Sequence, residues 1–188
     1  MPNAVALRGD AASTESALVV AALAMLALGT GGWLWWWRSG FGDLQGVFIK
    51  SVLFGTVVSF ACWLGWLVVV YALLQRLATT VIPMDRLIRE AGLATAPLAL
   101  GLLMALPLLS FPIGLVAIAA WVVSIQQAIE RASDLRGVPV FLANLAGFAL
   151  WAGVLSLLTT ASQPLAPGPF LAESVWEAIA HYKPAITN

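Results

Sequence analysis

The side chains able to do chemistry in this 188-residue chain are few and scattered. Its one histidine is His181 and its one cysteine is Cys62. A metal or tetrapyrrole site needs several convergent donors. His181 stands beside Tyr182 and Lys183 with no second ligand near it, so it is expected to be a solvated surface imidazole. Cys62 lies in an apolar run and has no other thiol to pair with, which excludes an intramolecular disulfide. Ser110 has no sequence-adjacent His or acid to activate it, so serine-hydrolase chemistry has no support. Gly29, Gly31 and Gly32 fall inside an apolar stretch and not after a strand, so they form no phosphate loop. The remaining candidates are neutral: Asn144, Gln126, Gln127, Ser59, Ser124 and Ser156. Asn144 can line a solute path or hold a substrate. A hydrogen bond between helices, worth about 1 kcal/mol, is its plainer role. No catalytic, metal-ligating or cofactor-binding residue is assigned, and the chain is expected not to be an enzyme.

Composition explains this poverty. The chain is 61% hydrophobic and 10% charged, with a mean hydropathy of +0.94. Soluble domains carry about 25% charged residues, so the class is all-α integral membrane. Nine basic and nine acidic residues cancel, and no basic cluster points to nucleic acid. Membrane lipid is the expected surrounding and a bound lipid is expected; contact with a pigment is left open.

Ala91–Ile129 contains no Asp, Glu, Lys or Arg. As one helix it would run roughly 58 Å, about twice the ~30 Å hydrocarbon core of a bilayer. It must therefore double back, and Pro107 and Pro112 mark the place. Five spans are predicted: 17–37, 51–74, 93–109, 113–129 and 138–158, the third and fourth forming a tight helical hairpin turning at Ser110–Pro112. The second helix is allowed to begin nearer Val47. Residues 1–16 form a short polar lead in which Ser13 or Thr14 can cap the first helix. The lead is not basic, and the first run continues into Trp33 and Trp35–Trp37, which argues for a span and against a cleaved signal. Arg38–Lys50 reads as a Gly-containing link. Around Met84–Ala91, Leu87, Ile88 and Ala91 give an apolar stripe behind Pro83 and Asp85, which predicts an interfacial helix. Residues 159–188 comprise a Pro-rich connector and an amphipathic helix near Phe170–Tyr182. There Leu171, Val175, Trp176 and Ile179 oppose Glu173, Glu177 and His181, and the helix is expected to lie on the membrane surface or on a partner.

With five spans the termini fall on opposite sides. One side collects Arg8, Arg76, Arg86, Arg89, Arg131 and Arg136, the other Arg38, Lys50 and Lys183. The positive-inside rule then puts the N-terminus in the cytoplasm and the C-terminus outside. The expected location is a bacterial cytoplasmic membrane. Small residues four apart, Ala61/Gly65, Gly101/Ala105, Ala143/Gly147 and Ala149/Gly153, allow close helix approach. Trp63, Trp66, Trp121 and Trp151 lie too deep for an interfacial belt; they fill a bundle or meet a partner protein, lipid or pigment.

Three segments resemble the Yip domain family of five-span membrane proteins. Leu87–Pro97 is similar to its amphipathic lead into the third span. Pro107–Gly114 is similar to its short hairpin turn, and Trp121–Ile129 to the stretch leading toward its fifth span. The resemblance covers about Val47–Leu158 and implies a five-span, N-inside fold, with partners among Ypt/Rab-type GTPases for its eukaryotic members. Those members carry a long N-terminal region, whereas about sixteen residues precede the first span here, which argues against a GTPase partner. The function expected is a non-enzymatic scaffold or accessory subunit that packs against other integral membrane proteins, among them a bioenergetic or photosynthetic complex. The alternatives are a small neutral-solute transporter or channel using Asn144, Ser124 and Gln126, and a membrane-trafficking or membrane-shaping factor.

Overall fold

The computed structural model describes residues 13–40, 44–77, 82–106 and 108–160. Trp176, His181, Arg8, Pro107 and the expected amphipathic tail lie outside them. The described residues are all-helical. Five helical runs are long and apolar enough to cross a membrane: Thr14–Arg38, Leu44–Leu77, Met84–Ala105, Ser110–Ser133 and Val138–Leu155.

Helix α1 (Thr14–Arg38) opens on Ser13, whose hydroxyl accepts from the Ser16 amide at 3.1 Å. Glu15 in the first turn and Arg38 in the last complement the helix dipole. The second run starts earlier than a Gly-containing link would suggest. It is built from α2 (Leu44–Val47), a seven-residue π segment (Phe48–Phe54) and α3 (Gly55–Leu77). Ser51, buried within the π segment, donates to the Gly29 carbonyl of α1 at 3.0 Å. A hydroxyl reaching across helices in this way keeps a buried polar group from going unpaired.

The third run is not one α-helix over 93–109. Helix α4 (Met84–Leu93) stops at Ala94, and a ten-residue 3-10 helix (Ala96–Ala105) continues it. Pro97 has no amide hydrogen to give and sits where the new helix leaves that position free. At ~2.0 Å per residue against 1.5 Å, a 3-10 helix reaches further for the same number of residues. It is also drawn tightly onto α1. A Cβ on Gly31 would land on the Gly101 carbonyl oxygen, and one on Gly101 would meet the Leu28 Cα at 2.8 Å. The chain bends at Leu106 and turns at Leu108–Leu109. Helix α5 (Ser110–Ser133) therefore starts three residues before the sequence-predicted span, with Pro112 inside its first turn. Proline is tolerated there because first-turn amides have no intrahelical acceptor. Helix α5 also runs past Ile129, taking Glu130 and Arg131 into the helix. Helix α6 is Val138–Thr160.

Contacts fix how these rods run. Gly92 lies against Ala17, and Gly101 against Leu28 and Gly31, so α4 and the 3-10 helix follow α1 in the same direction. Trp33 of α1 donates to the Leu44 carbonyl at 3.1 Å, so the second run starts where α1 ends. Arg131 and Asp134 at the end of α5 return to Glu90 and Arg86 of α4. Helix α4 accordingly packs between α1 and α5 with Leu87, Ala91 and Gly92 buried. It is an integrated element of the bundle, and only its other face is polar.

Candidate functional site

Two places hold the residues singled out above: an aromatic interior among α3, α5 and α6, and a charged end where α4 meets α5.

In the interior, helical spacing lines up Ser59, Trp63, Trp66 and Val70 on α3, Trp121 and Ile125 on α5, and Asn144, Gly147, Phe148 and Trp151 on α6. Trp63, Trp66, Trp121 and Trp151 are at most 1% exposed. Trp66 lies so close over Gly147 that a Cβ there would fall within its indole. The rings of Trp66 and Trp121 meet edge-to-face at 5.1 Å, and those of Trp121 and Trp151 at 5.0 Å. Phe148 completes the group, 5.7 Å from Trp66 and 6.0 Å from Trp151. An edge-to-face pair sets the positive rim of one ring on the negative face of the next, worth about 0.5–1.5 kcal/mol beyond area. The four indole N–H groups have no conventional acceptor among the described residues.

Asn144 is buried and its side-chain nitrogen donates to the Val122 carbonyl at 3.4 Å, a long bond between α6 and α5. Gln126 donates instead to Glu130 at 3.0 Å, one turn along its own helix. Asn144 and Gln126 thus serve separate hydrogen bonds. Ser124 is half-buried, and Gln127 faces outward. Gly65 approaches the Leu150 side chain of α6 at 3.5 Å. Gly153 is exposed with nothing near its missing Cβ, and Ala149 is exposed one turn earlier.

The charged end is assembled from positions far apart in sequence. Arg86 forms a forked pair with Asp134, 3.0 Å and 3.3 Å from its two oxygens, and also donates to the Arg131 carbonyl at 2.6 Å. Asp134 takes a left-handed backbone, φ 56°, as the cap of α5. The Arg86 fork therefore anchors the residue that ends the helix. Arg131 gives its Nε to Glu90 at 3.1 Å. Thr14 at the start of α1 donates to Asp85, and Arg89 approaches Asp85 at 4.0 Å. Arg86, Glu90, Arg131 and Asp134, with Gln127, Glu130 and Arg136, line an open cavity of about 590 Å³. Arg136 has no ion-pair partner among the described residues. Arg76 is exposed at the end of α3, where a cation suits the dipole. Sequence reasoning singled out Arg86, Arg131 and Arg136 but not Asp134 and Glu90, which pair with the first two. The available signal was opposite charge at three- to four-residue steps on both α4 and α5.

At the opposite end, Trp33 stacks on Trp37 at 6.3 Å and meets Phe48 edge-on at 5.3 Å. Among the described residues, no three His, Cys, Asp or Glu side chains converge as metal ligands. Set against known families, curated proteins and solved structures, the chain matches none of them.

Proposed function

We propose that this chain is a non-enzymatic integral membrane scaffold or accessory subunit that packs against other membrane proteins through its outer apolar faces. The observation that carries this is the self-filled interior. Trp66, Trp121, Trp151 and Gly147 use one another, so the surface left to meet a partner is the outward one. On α6 that surface includes Leu145, Ala149 and Gly153, a small-residue face open to close approach.

The five runs span the membrane in alternating directions. The α4–3-10 run and α5 form the central hairpin, turning near Leu106–Leu109. The return of Arg131 to Glu90 supports that pairing. The arginine-bearing end faces the cytoplasm, following the excess of basic residues there. The location is the bacterial cytoplasmic membrane.

The test is site-specific photo-crosslinking in native membranes, with the probe at Val57 or Leu145 on outward faces and at Trp121 as the buried control. Discrete protein adducts from an outward position and none from Trp121 are expected. Lipid adducts alone from every outward position, with the purified protein running as a lone monomer in mild detergent, would overturn the proposal. A Yip-like role would place a partner at the charged end. Arg86 is committed to internal pairs, so Arg76 and Arg136 are the better positions to change in testing that.

A further inference from the structure

We propose that the cavity at the charged end binds a phosphoethanolamine group, supplied by a phospholipid headgroup or as the free phosphoester. The inference rests on the chain being embedded in a membrane, which puts this cavity at headgroup depth. Its walls are ionic, and internal pairing removes most of the charge. Arg86 is held by Asp134, and Arg131 is held through Nε by Glu90. Two groups remain. Arg136 is exposed and has no anionic partner among the described residues. Glu130 accepts only an uncharged amide hydrogen, from Gln126. The cavity lining therefore includes one unmatched cation and one unmatched anion among neutralised pairs, and the uncharged Gln127.

A zwitterion fits that arrangement: its phosphate meets the planar Arg136 fork, and its ammonium meets Glu130. The cationic half discriminates among headgroups. A primary ammonium donates hydrogen bonds to a carboxylate, whereas a trimethylammonium cannot and favours aromatic faces. Among the described residues, no aromatic side chain lines this cavity. A volume of about 590 Å³ lies within the usual range for small-molecule sites.

The experiment is native mass spectrometry of the full chain released from nanodiscs of phosphatidylcholine mixed with phosphatidylethanolamine or with phosphatidylglycerol. Phosphatidylethanolamine should be retained about tenfold over phosphatidylcholine, the factor expected of one charge-assisted hydrogen bond. Arg136→Gln should lose that retention, and Arg136→Lys should keep part of it. Glu130→Gln should reduce phosphatidylethanolamine to the phosphatidylcholine level. Displacement by free O-phosphoethanolamine marks the headgroup as sufficient; retention of the lipid without such displacement assigns the bilayer as the source. The proposal is overturned if wild type retains the ethanolamine and choline lipids equally. It also falls if both neutral variants, with unchanged helix content, retain lipid as wild type does, or if inorganic phosphate competes as well as O-phosphoethanolamine. Crosslinks from Val57 or Leu145 should be the same in all these variants, so failure here leaves the scaffold proposal standing.

Discussion

Gly147 is the residue on which the aromatic interior closes. Trp66 occupies the volume that any Cβ would need, and it is pinned by Trp121 and Phe148. Overpacking a filled core costs about 1–3 kcal/mol, because rings that are already wedged must shift. Gly147→Ala should therefore lower the thermal unfolding midpoint measured in detergent. Gly153→Ala is the matched control, in the same helix with open space at the missing Cβ. It should be neutral or raise the midpoint slightly, since alanine is the better helix former by up to about 1 kcal/mol. Equal effects from the two would mean that α6 does not press on Trp66. Both glycines stand in small-residue pairs of the same spacing, so the sequence offered no means to tell the inward one from the outward one. That distinction needs the rotation of α6 against α3, which only packing supplies.

The elements themselves were largely legible, because long uncharged runs have one common explanation. Their internal geometry was not. Lipid demands that every backbone polar group be satisfied within the segment, but it does not dictate which helical repeat does so. Phe48–Phe54 as π and Ala96–Ala105 as 3-10 are thus invisible in an apolar pattern and follow from how closely Gly29, Gly31 and Gly101 let the chains approach. Pro112 marked a real feature, the start of α5, but a proline at a first turn looks in sequence like one that breaks a helix. The charged clamp was half-readable: its arginines stood out, while their partners lie 41 and 48 residues away. Because Arg86 and Asp134 are 39% and 77% exposed, their coupling should be modest. A double-mutant cycle with Arg86→Ala and Asp134→Ala, followed by chemical unfolding, should return at most about 1 kcal/mol. Arg86→Ala alone should cost more than the coupling, because it also removes the bond to the Arg131 carbonyl. A coupling of zero would mean that this pair adds nothing to the joining of α4 and α5.

Across the described residues, ionisable groups gather toward the ends of five apolar runs, and the middle is filled by rings and small residues. That layout determines which chemistry is available: ion pairing at one end, stacked aromatic rings at the other, and packing between. It can be checked by the side from which single thiols are labelled in intact cells or sealed vesicles. The background is Cys62→Ala, with one cysteine placed in turn at Ser39, Leu108 or Arg136. Leu108 is 95% exposed at the bend. Labelling by a membrane-impermeant maleimide should reach positions 39 and 108 from the outer side and position 136 only from the cytoplasmic side. Labelling of 108 and 136 from the same side would contradict the five-span arrangement and, with it, the hairpin at its centre.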